Sequence, residues 1–324
     1  MATVGIIANP AAGKDIRRLV ASASPSSDVS KIGMIRRAVI GAVEGGARRI
    51  LLSGDRQELA RRALDGLESL GAELEIFDDG LTGDARDTTD AAQRMAKEDT
   101  GAVVVLGGDG THRDVARGWL EAPLVAVSIG TNNVFPSAVE ATIAGHAAAR
   151  VATGAVALDH VSATAKVIHA AFGGAEPEDL ALVEVALIDG SFVGSRAVWD
   201  ATALRVVVAA IAEPTTVGLS AVAAMAHAVA RDEPGGVRVD IGAPGTSVRA
   251  PIAPGLYAEV DVERVTRFGE GDEATLMGPG VCTFDGERDR VLAADDEVRL
   301  VIRRDGPRVI DIERAMRAIA PKGD

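Results

Sequence analysis

Short runs of consecutive apolar residues alternate, through the first half of this chain, with stretches whose apolar positions fall three and four apart. Thr3–Ala8, with Val4, Ile6 and Ile7 together, is followed by Arg49–Ser53, Ala72–Phe77, Ala102–Leu106 and Leu124–Ile129. A strand that is apolar on successive positions needs cover on both faces, and helices between parallel strands supply it. Met34, Ile35, Ala38, Val39, Ala42 and Val43 recur at helical spacing before Gly45-Gly46. Gln57–Leu70, Asp84–Lys97, a segment near Arg113–Leu120 and the Ala-rich Val139–Ala152 read as further helices, the last closed by Gly154. The expected class is α/β, a doubly wound and mostly parallel sheet over residues 1–154.

After residue 155 the rhythm changes. Leu180–Ile188, Val237–Ile241, Val248–Ile252, Tyr257–Val262, Val281–Phe284, Val298–Ile302 and Val309–Ile312 read as strands, many divided by Gly/Pro turns. One helix is expected within Leu219–Ala230. The pattern predicts a β-rich, mostly antiparallel domain over 155–308, and a last segment, 309–324, whose helix Ile312–Ile319 docks back on the first domain. A chain of 324 residues is long enough for two such domains.

Composition narrows the function. With 34 Lys+Arg against 47 Asp+Glu the formal charge is −13, so the basic footprint of non-specific nucleic-acid binding is missing, and an anionic lipid surface would repel the chain. No apolar run approaches the roughly 18 residues of a spanning helix, and Met1–Lys14 does not read as a secretory leader. The expected location is the cytoplasm. A single cysteine, Cys282, excludes an internal disulfide and a Cys-cluster zinc site. Aromatic residues make up only 3%, so Ala, Val, Leu and Ile must build the core.

Chemistry concentrates where apolar runs end in glycine. Gly107-Gly108-Asp109-Gly110-Thr111 follows a strand and opens a helix, at the sheet edge where open α/β folds bind ligands. Its glycines let backbone amides approach a phosphate, and Asp109 can hold a magnesium-bound water or accept a proton from a hydroxyl. The neighbouring run ends in Gly130-Thr131-Asn132-Asn133, whose amides both donate and accept. Asn9-Pro10-Ala11-Ala12-Gly13-Lys14 follows the first strand but is no Walker loop: Ala8 stands where the first glycine belongs and Asp15 where Ser/Thr belongs.

Taken together, Asn9-Pro-x-x-Gly13, Gly107–Thr111, Gly130–Asn133 and Asp285-Gly286-Glu287 resemble, in order, the motifs of the NAD kinase/diacylglycerol kinase-like superfamily. Gly5–Asp15 and Gly130–Pro136 look most like its acetoin-catabolism protein X branch. The resemblance spans the whole chain. It implies ATP between the domains, Mg2+, and direct phosphoryl transfer to a hydroxyl. Asp109 matches the superfamily's essential aspartate, with a metal role; Gly107, Gly108, Gly110 and Thr111 match its phosphate loop; Asn9 and Gly13 match a nucleotide-proximal turn. Asp285 and Glu287 match the Asp-Gly-Glu near the reacting centre of the lipid kinases, and homo-oligomers are common in the group.

Two departures bear on the acceptor. Asn133 stands where diacylglycerol kinases carry a metal-linked aspartate. Ala181-Leu182-Val183-Glu184 keeps the glutamate of an Ala-Leu-Asn-Glu strand in NAD kinases but has Val183 for its asparagine. NAD or NADH is the first expected acceptor, approached by Glu184 and by His112; another small hydroxylated metabolite of acetoin-type catabolism is second, and a lipid third. A nucleotide-binding regulator without catalysis is the alternative of a different class. His160, His169 and Cys282 read as structural, and Arg113 and Asp114 lie at a helix start, where Asp114 favours the dipole.

Overall fold

The computed structural model describes residues 1–13, 27–130, 132–174, 176–191 and 200–319. In chain order the first elements are β1 (Thr3–Ala8), α1 (Asp28–Glu44), β2 (Arg49–Ser53), α2 (Leu59–Leu64), β3 (Glu73–Phe77), α3 (Ala85–Lys97), β4 (Ala102–Gly107), α4 (Asp109–Gly118), β5 (Pro123–Ser128) and α5 (Ala141–Ala152). The strands pair in parallel in the order β3-β2-β1-β4-β5. Strand order reverses between β1 and β4, so their carboxyl ends diverge into a crevice. Asn9 and Gly108 are the first residues beyond those two ends.

Each face of this sheet is apolar and covered. Ile6, Leu52, Val104 and Val127 pack with Ile35, Val39, Ala144 and Ala148 of α1 and α5. Ile7, Leu51, Val103 and Val105 pack with Ala92 and Met95 of α3 and Val115 of α4. The continuous apolar runs follow from this two-sided burial. Ser27 caps α1 by accepting from Ser30 N–H, and Asp84 caps α3 by accepting from Arg86 N–H.

The second half contains α6 (Leu158–Val161), β6 (Ser162–Thr164), β7 (Val167–Phe172), β8 (Asp179–Ala181), β9 (Glu184–Ile188), β10 (Leu204–Ala209), α7 (Leu219–Ala226), β11 (Gly236–Ala253), β12 (Leu256–Phe268), β13 (Glu273–Met277), β14 (Gly280–Phe284), β15 (Glu287–Leu292), β16 (Glu297–Arg303), β17 (Arg308–Ile310) and α8 (Ile312–Ile319). Two antiparallel sheets, β12-β11-β10-β9-β14-β15 and β13-β16-β7-β8, enclose Leu187, Val208, Phe284 and Leu300 between them. The chain is thus a parallel α/β region followed by an antiparallel β-rich region. β17 returns to the parallel sheet beside β5 and carries β6 on its far side, while Ala315 of α8 joins the core beneath α1 and α5.

Some elements differ from the sequence expectation. The run Leu180–Ile188 is broken into β8 and β9 at Leu182-Val183, where the backbone turns to bond Asp285. Val237–Ile241 and Val248–Ile252 belong to one long strand, β11, whose register against β12 slips between Ile241 and Thr246. The helix expected over Gln57–Leu70 is shorter, Leu59–Leu64, because Gly66 adopts φ 74° and ends it.

Candidate active site

A cavity of about 630 Å³ opens over the carboxyl ends of β1, β2, β4 and β5 and is faced by the β14–β15 turn. Asn9, Gly13, Gly108, Asp109, Gly110, Thr111, Gly130, Asn132, Asn133, Asp285 and Glu287 all line it. The structure thus brings four separated motifs to one crevice. Gly107 lies just behind the lining, buried at the end of β4. Lys14 and Thr131 lie outside the described residues.

The phosphate-loop candidate is shaped by contacts only glycine permits. A Cβ on Gly107 would lie 2.4 Å from Thr111 Cβ, and one on Gly108 would lie 2.8 Å from Asn133 Oδ1. Gly108 is the N-cap of α4, with no side-chain cap bond, so the amide N–H groups of that first turn keep the positive end of the helix toward the cavity. Thr111, almost wholly buried, accepts a 2.9 Å hydrogen bond from Asn9 Nδ2 through Oγ1 and ties this loop to the one after β1. Asn9 Oδ1 in turn accepts from Ala11 N–H.

Asp109 opens α4. Its Oδ1 accepts from Val134 N–H and Phe135 N–H at 3.0 and 2.8 Å, and Oδ2 accepts from Val134 N–H at 3.1 Å. These bonds fix the carboxylate across the crevice between β4 and β5. Asn133 Nδ2 donates to Ser128 Oγ at 2.7 Å, which shapes the turn and turns its Oδ1 toward Gly108. Across α4, Glu287 Oε1 lies 3.2 Å from where a Cβ on Gly110 would sit. Two carboxylates therefore flank the start of one helix.

Three expectations are corrected by placement. His112 is not at the acceptor side: it is fully buried behind the loop, its Nδ1 2.8 Å from Gly108 O and its ring 5.5 Å from that of Phe135. The step of about 100° from Thr111, which lines the cavity, turns it to the core. Glu184 is buried in β9 between Val183 and Val185 and does not line the cavity. Asp285 does line it, but its carboxylate accepts from the N–H groups of Leu182, Val183 and Glu184 at 2.8–3.2 Å. Those bonds anchor the turn to the backbone at the start of β9. Burial pushes its carboxyl up to about 6, against the pull of those amides and of Arg113.

Burial also pushes the His112 imidazole down to about 4, against the hydrogen bonds to main-chain carbonyls that favour its charged form. The folded protein therefore holds fewer protons than the unfolded chain between that value and the ordinary histidine value near 6.5. Stability is full above about 6.5 and is lost as pH falls from there toward 4, by roughly 3 kcal/mol. In urea titrations across that window, His112→Asn is expected to lack this part of the slope; an unchanged slope would refute the assignment.

Sequence reading missed several residues of the site. Lys31 on α1 is 1% exposed and donates to Pro10 O, bracing the turn after β1. Its signal was a lysine aligned with the apolar stripe Ile35, Ala38, Val39 and Ala42. Arg56 is the one basic side chain among the described lining residues, and it donates twice to Leu81 O. Arg231 donates to Val134 O and Phe135 O, the residues whose amides hold Asp109. No spacing rule points to either arginine.

ATP with Mg2+ fits what is present. The uncapped helix start, the glycine cradle and the cavity's volume suit a triphosphate chain. The described residues contain no group of three or more acids, histidines or cysteines able to hold a metal. Magnesium takes one or two carboxylates and completes its shell with phosphate oxygens and water. Asp109 would be the protein's contribution, with Glu287 facing it across Gly110.

Residues 43–156 match the ATP-NAD kinase N-terminal domain, and residues 166–305 match the acetoin catabolism protein X C-terminal domain. Over 330 aligned positions the chain is 35% identical to acetoin catabolism protein X of Cupriavidus necator, covering 97% of this chain and 91% of that protein. The crystal structure of yeast NADH kinase complexed with NADH shares the fold, with a TM-score of 0.53 over 99% of this chain and 89% of that one, at 14% identity. With a kinase-type first region joined to the C-terminal region particular to that relative, the chain belongs to the acetoin catabolism protein X family, built on the two-domain NAD kinase architecture.

Proposed function

We propose that the protein is an ATP-dependent phosphotransferase that acts on a hydroxyl group of a small molecule, with NAD or NADH the first acceptor. The observation that carries this reading is Asp109, held by two backbone amides at the uncapped start of α4 with Glu287 across Gly110. Phosphates would lie on the amides of Gly108, Gly110 and Thr111, and bound magnesium would screen charge on the transferring group. Asp109 would accept the acceptor's hydroxyl proton. The acceptor oxygen would form its bond to the γ-phosphorus as the bond to the β–γ bridging oxygen breaks and ADP leaves.

A second acceptor class, a neutral hydroxylated metabolite, is favoured by the lining. Asp55, Asp84, Asp87, Asp114 and Glu287 face the cavity with only Arg56 of opposite sign among the described residues. The pyrophosphate of NAD would meet that acidic surface, whereas a neutral polyol would not. Val183 stands where the resemblance leads one to expect a polar asparagine, and it is fully buried.

The test is magnesium-ATP phosphotransfer to NAD, NADH, acetoin and short polyols, read by product mass. Formation of NADP or NADPH supports the first reading, and a phosphorylated neutral acceptor supports the second. ATP binding without transfer to any of them would refute the phosphotransferase and leave a nucleotide-binding regulator.

A further inference from the structure

Arg113 lies one turn after Asp109 on α4, is 5% exposed, and faces away from the cavity toward the β-rich half. Its Nε donates to Leu180 O at 2.7 Å. Its Nη2 donates to Asp179 Oδ2 at 2.8 Å and to Asp289 Oδ2 at 2.7 Å. The guanidinium carbon also sits 4.5 Å from the centre of the Phe284 ring. Phe284 is the last residue of β14 and Asp289 is the third of β15, so one planar group grips the hairpin on both sides of its Asp285-Gly286-Glu287 turn.

Other contacts of the turn run to its own half of the molecule. Asp285 adopts φ 48°, and its carboxylate and amide bind the backbone of β9 and the residues before it. These bonds tie the turn to its own half of the molecule. The bridge from the turn to α4, the helix that begins with Asp109-Gly110, runs through Arg113. Burial works against the guanidinium's charge, while Asp179, Asp289 and Asp285 around it outweigh that and hold the charge more firmly than in water.

From this geometry we infer that Arg113 is a positioning residue for the phosphoryl transfer, setting the distance of Glu287 from Asp109 and Gly110. The inference rests on the proposed phosphotransferase reading. A lysine keeps the charge but cannot serve Leu180 O, Asp179 and Asp289 in one plane, nor lie flat on Phe284. The phosphate-holding turns after β1 and β4 are tied to each other through Asn9 and Thr111, independently of this arginine. Its loss should therefore leave ATP in place and misplace the carboxylate opposite.

The experiment is a kinetic cycle on the full chain with Arg113→Lys, Glu287→Gln and the double variant, using MgATP and whichever acceptor the wild type phosphorylates. Arg113→Lys is expected to lower kcat roughly tenfold or more while KM for ATP moves by about twofold at most. In the Glu287→Gln background the same change should cost about twofold or less, because the group it positions is already disabled. Asp289→Asn removes one arm from the more exposed side and should give an intermediate fall in kcat in a protein that still folds. Equal losses in both backgrounds, or a rise in KM alone, would overturn the inference.

Amide exchange over residues 107–118 and 280–292 is read in parallel and needs no turnover. Faster exchange in Arg113→Lys, at the β14–β15 turn and at the start of α4 together, supports the bridge. Unchanged exchange overturns it even if no acceptor is phosphorylated by the wild type, an outcome that by itself bears on the phosphotransferase reading alone.

Discussion

Asp109→Asn is expected to lower turnover by roughly two to three orders of magnitude while ATP affinity stays within about tenfold. The side chain keeps its size, but the charge that would meet magnesium and the base that would take the proton are both lost. Only one oxygen remains to accept from Val134 N–H and Phe135 N–H, so the loop after β5 also loses part of its anchor. The phosphate-facing amides belong to the backbone of α4 and persist. Steady-state kinetics with calorimetric titration of MgATP separates the two effects. Full turnover in this variant would remove Asp109 from the chemistry.

The largest effect on stability is expected far from the cavity, where α1 and α5 cross. A Cβ on Gly145 would lie 2.0 Å from Ala38 O and 2.9 Å from Ala42 N, and one on Gly41 would lie 1.9 Å from Thr142 O. The obstacles are backbone atoms, so no rotamer relieves them, and the helices must separate in the middle of the core they share with β1, β2 and β4. Gly145→Ala should cost about 3 kcal/mol or more in urea unfolding, the upper end for overpacking. Gly33→Ala on the same α1 supplies the contrast. Its new methyl would meet only Arg37 Nη1 at 3.3 Å, so it should gain roughly 0.5–1 kcal/mol from helix propensity. Similar changes in the two variants would refute the close crossing.

These two substitutions also mark what a reader of the sequence could and could not see. The phosphate-loop candidate was legible because its cause is local: a buried strand, three glycines and a helix start lie within a few residues. The parallel sheet was legible because two-sided burial leaves continuous apolar runs. The Gly41–Gly145 crossing was not, since it is a contact between segments a hundred positions apart, and a glycine in an Ala-rich helix carries no mark of its neighbour. His112 was assigned to the acceptor by nearness to the glycine loop, and Glu184 by its match to the NAD kinase Ala-Leu-Asn-Glu strand. In space both are buried, His112 against Phe135 and Glu184 at the start of β9, a strand buried along its whole length. The partners of Arg113 and Arg231 were illegible for the same reason as the glycine crossing: they come from the other half of the molecule.

The strand misreadings have a related origin. β8 and β9 form one apolar run in sequence, but the buried carboxylate of Asp285 draws the backbone amides between them out of the sheet pattern. β13 carries weak periodicity because it is short and lies beside charged turns. No helix among the described residues is long and apolar enough to cross a membrane. Burial of β10 between β9 and β11 explains its apolar character instead.

The most direct test of the central claim is to follow the γ-phosphoryl group itself. ATP labelled in its γ-phosphate is incubated with the protein, magnesium and each acceptor, and the label is traced by mass. The account predicts ADP and a phosphate ester of the acceptor hydroxyl in equal amounts, dependent on magnesium and abolished in Asp109→Asn. Label recovered only in unreacted ATP or in inorganic phosphate, whatever the acceptor, would contradict it.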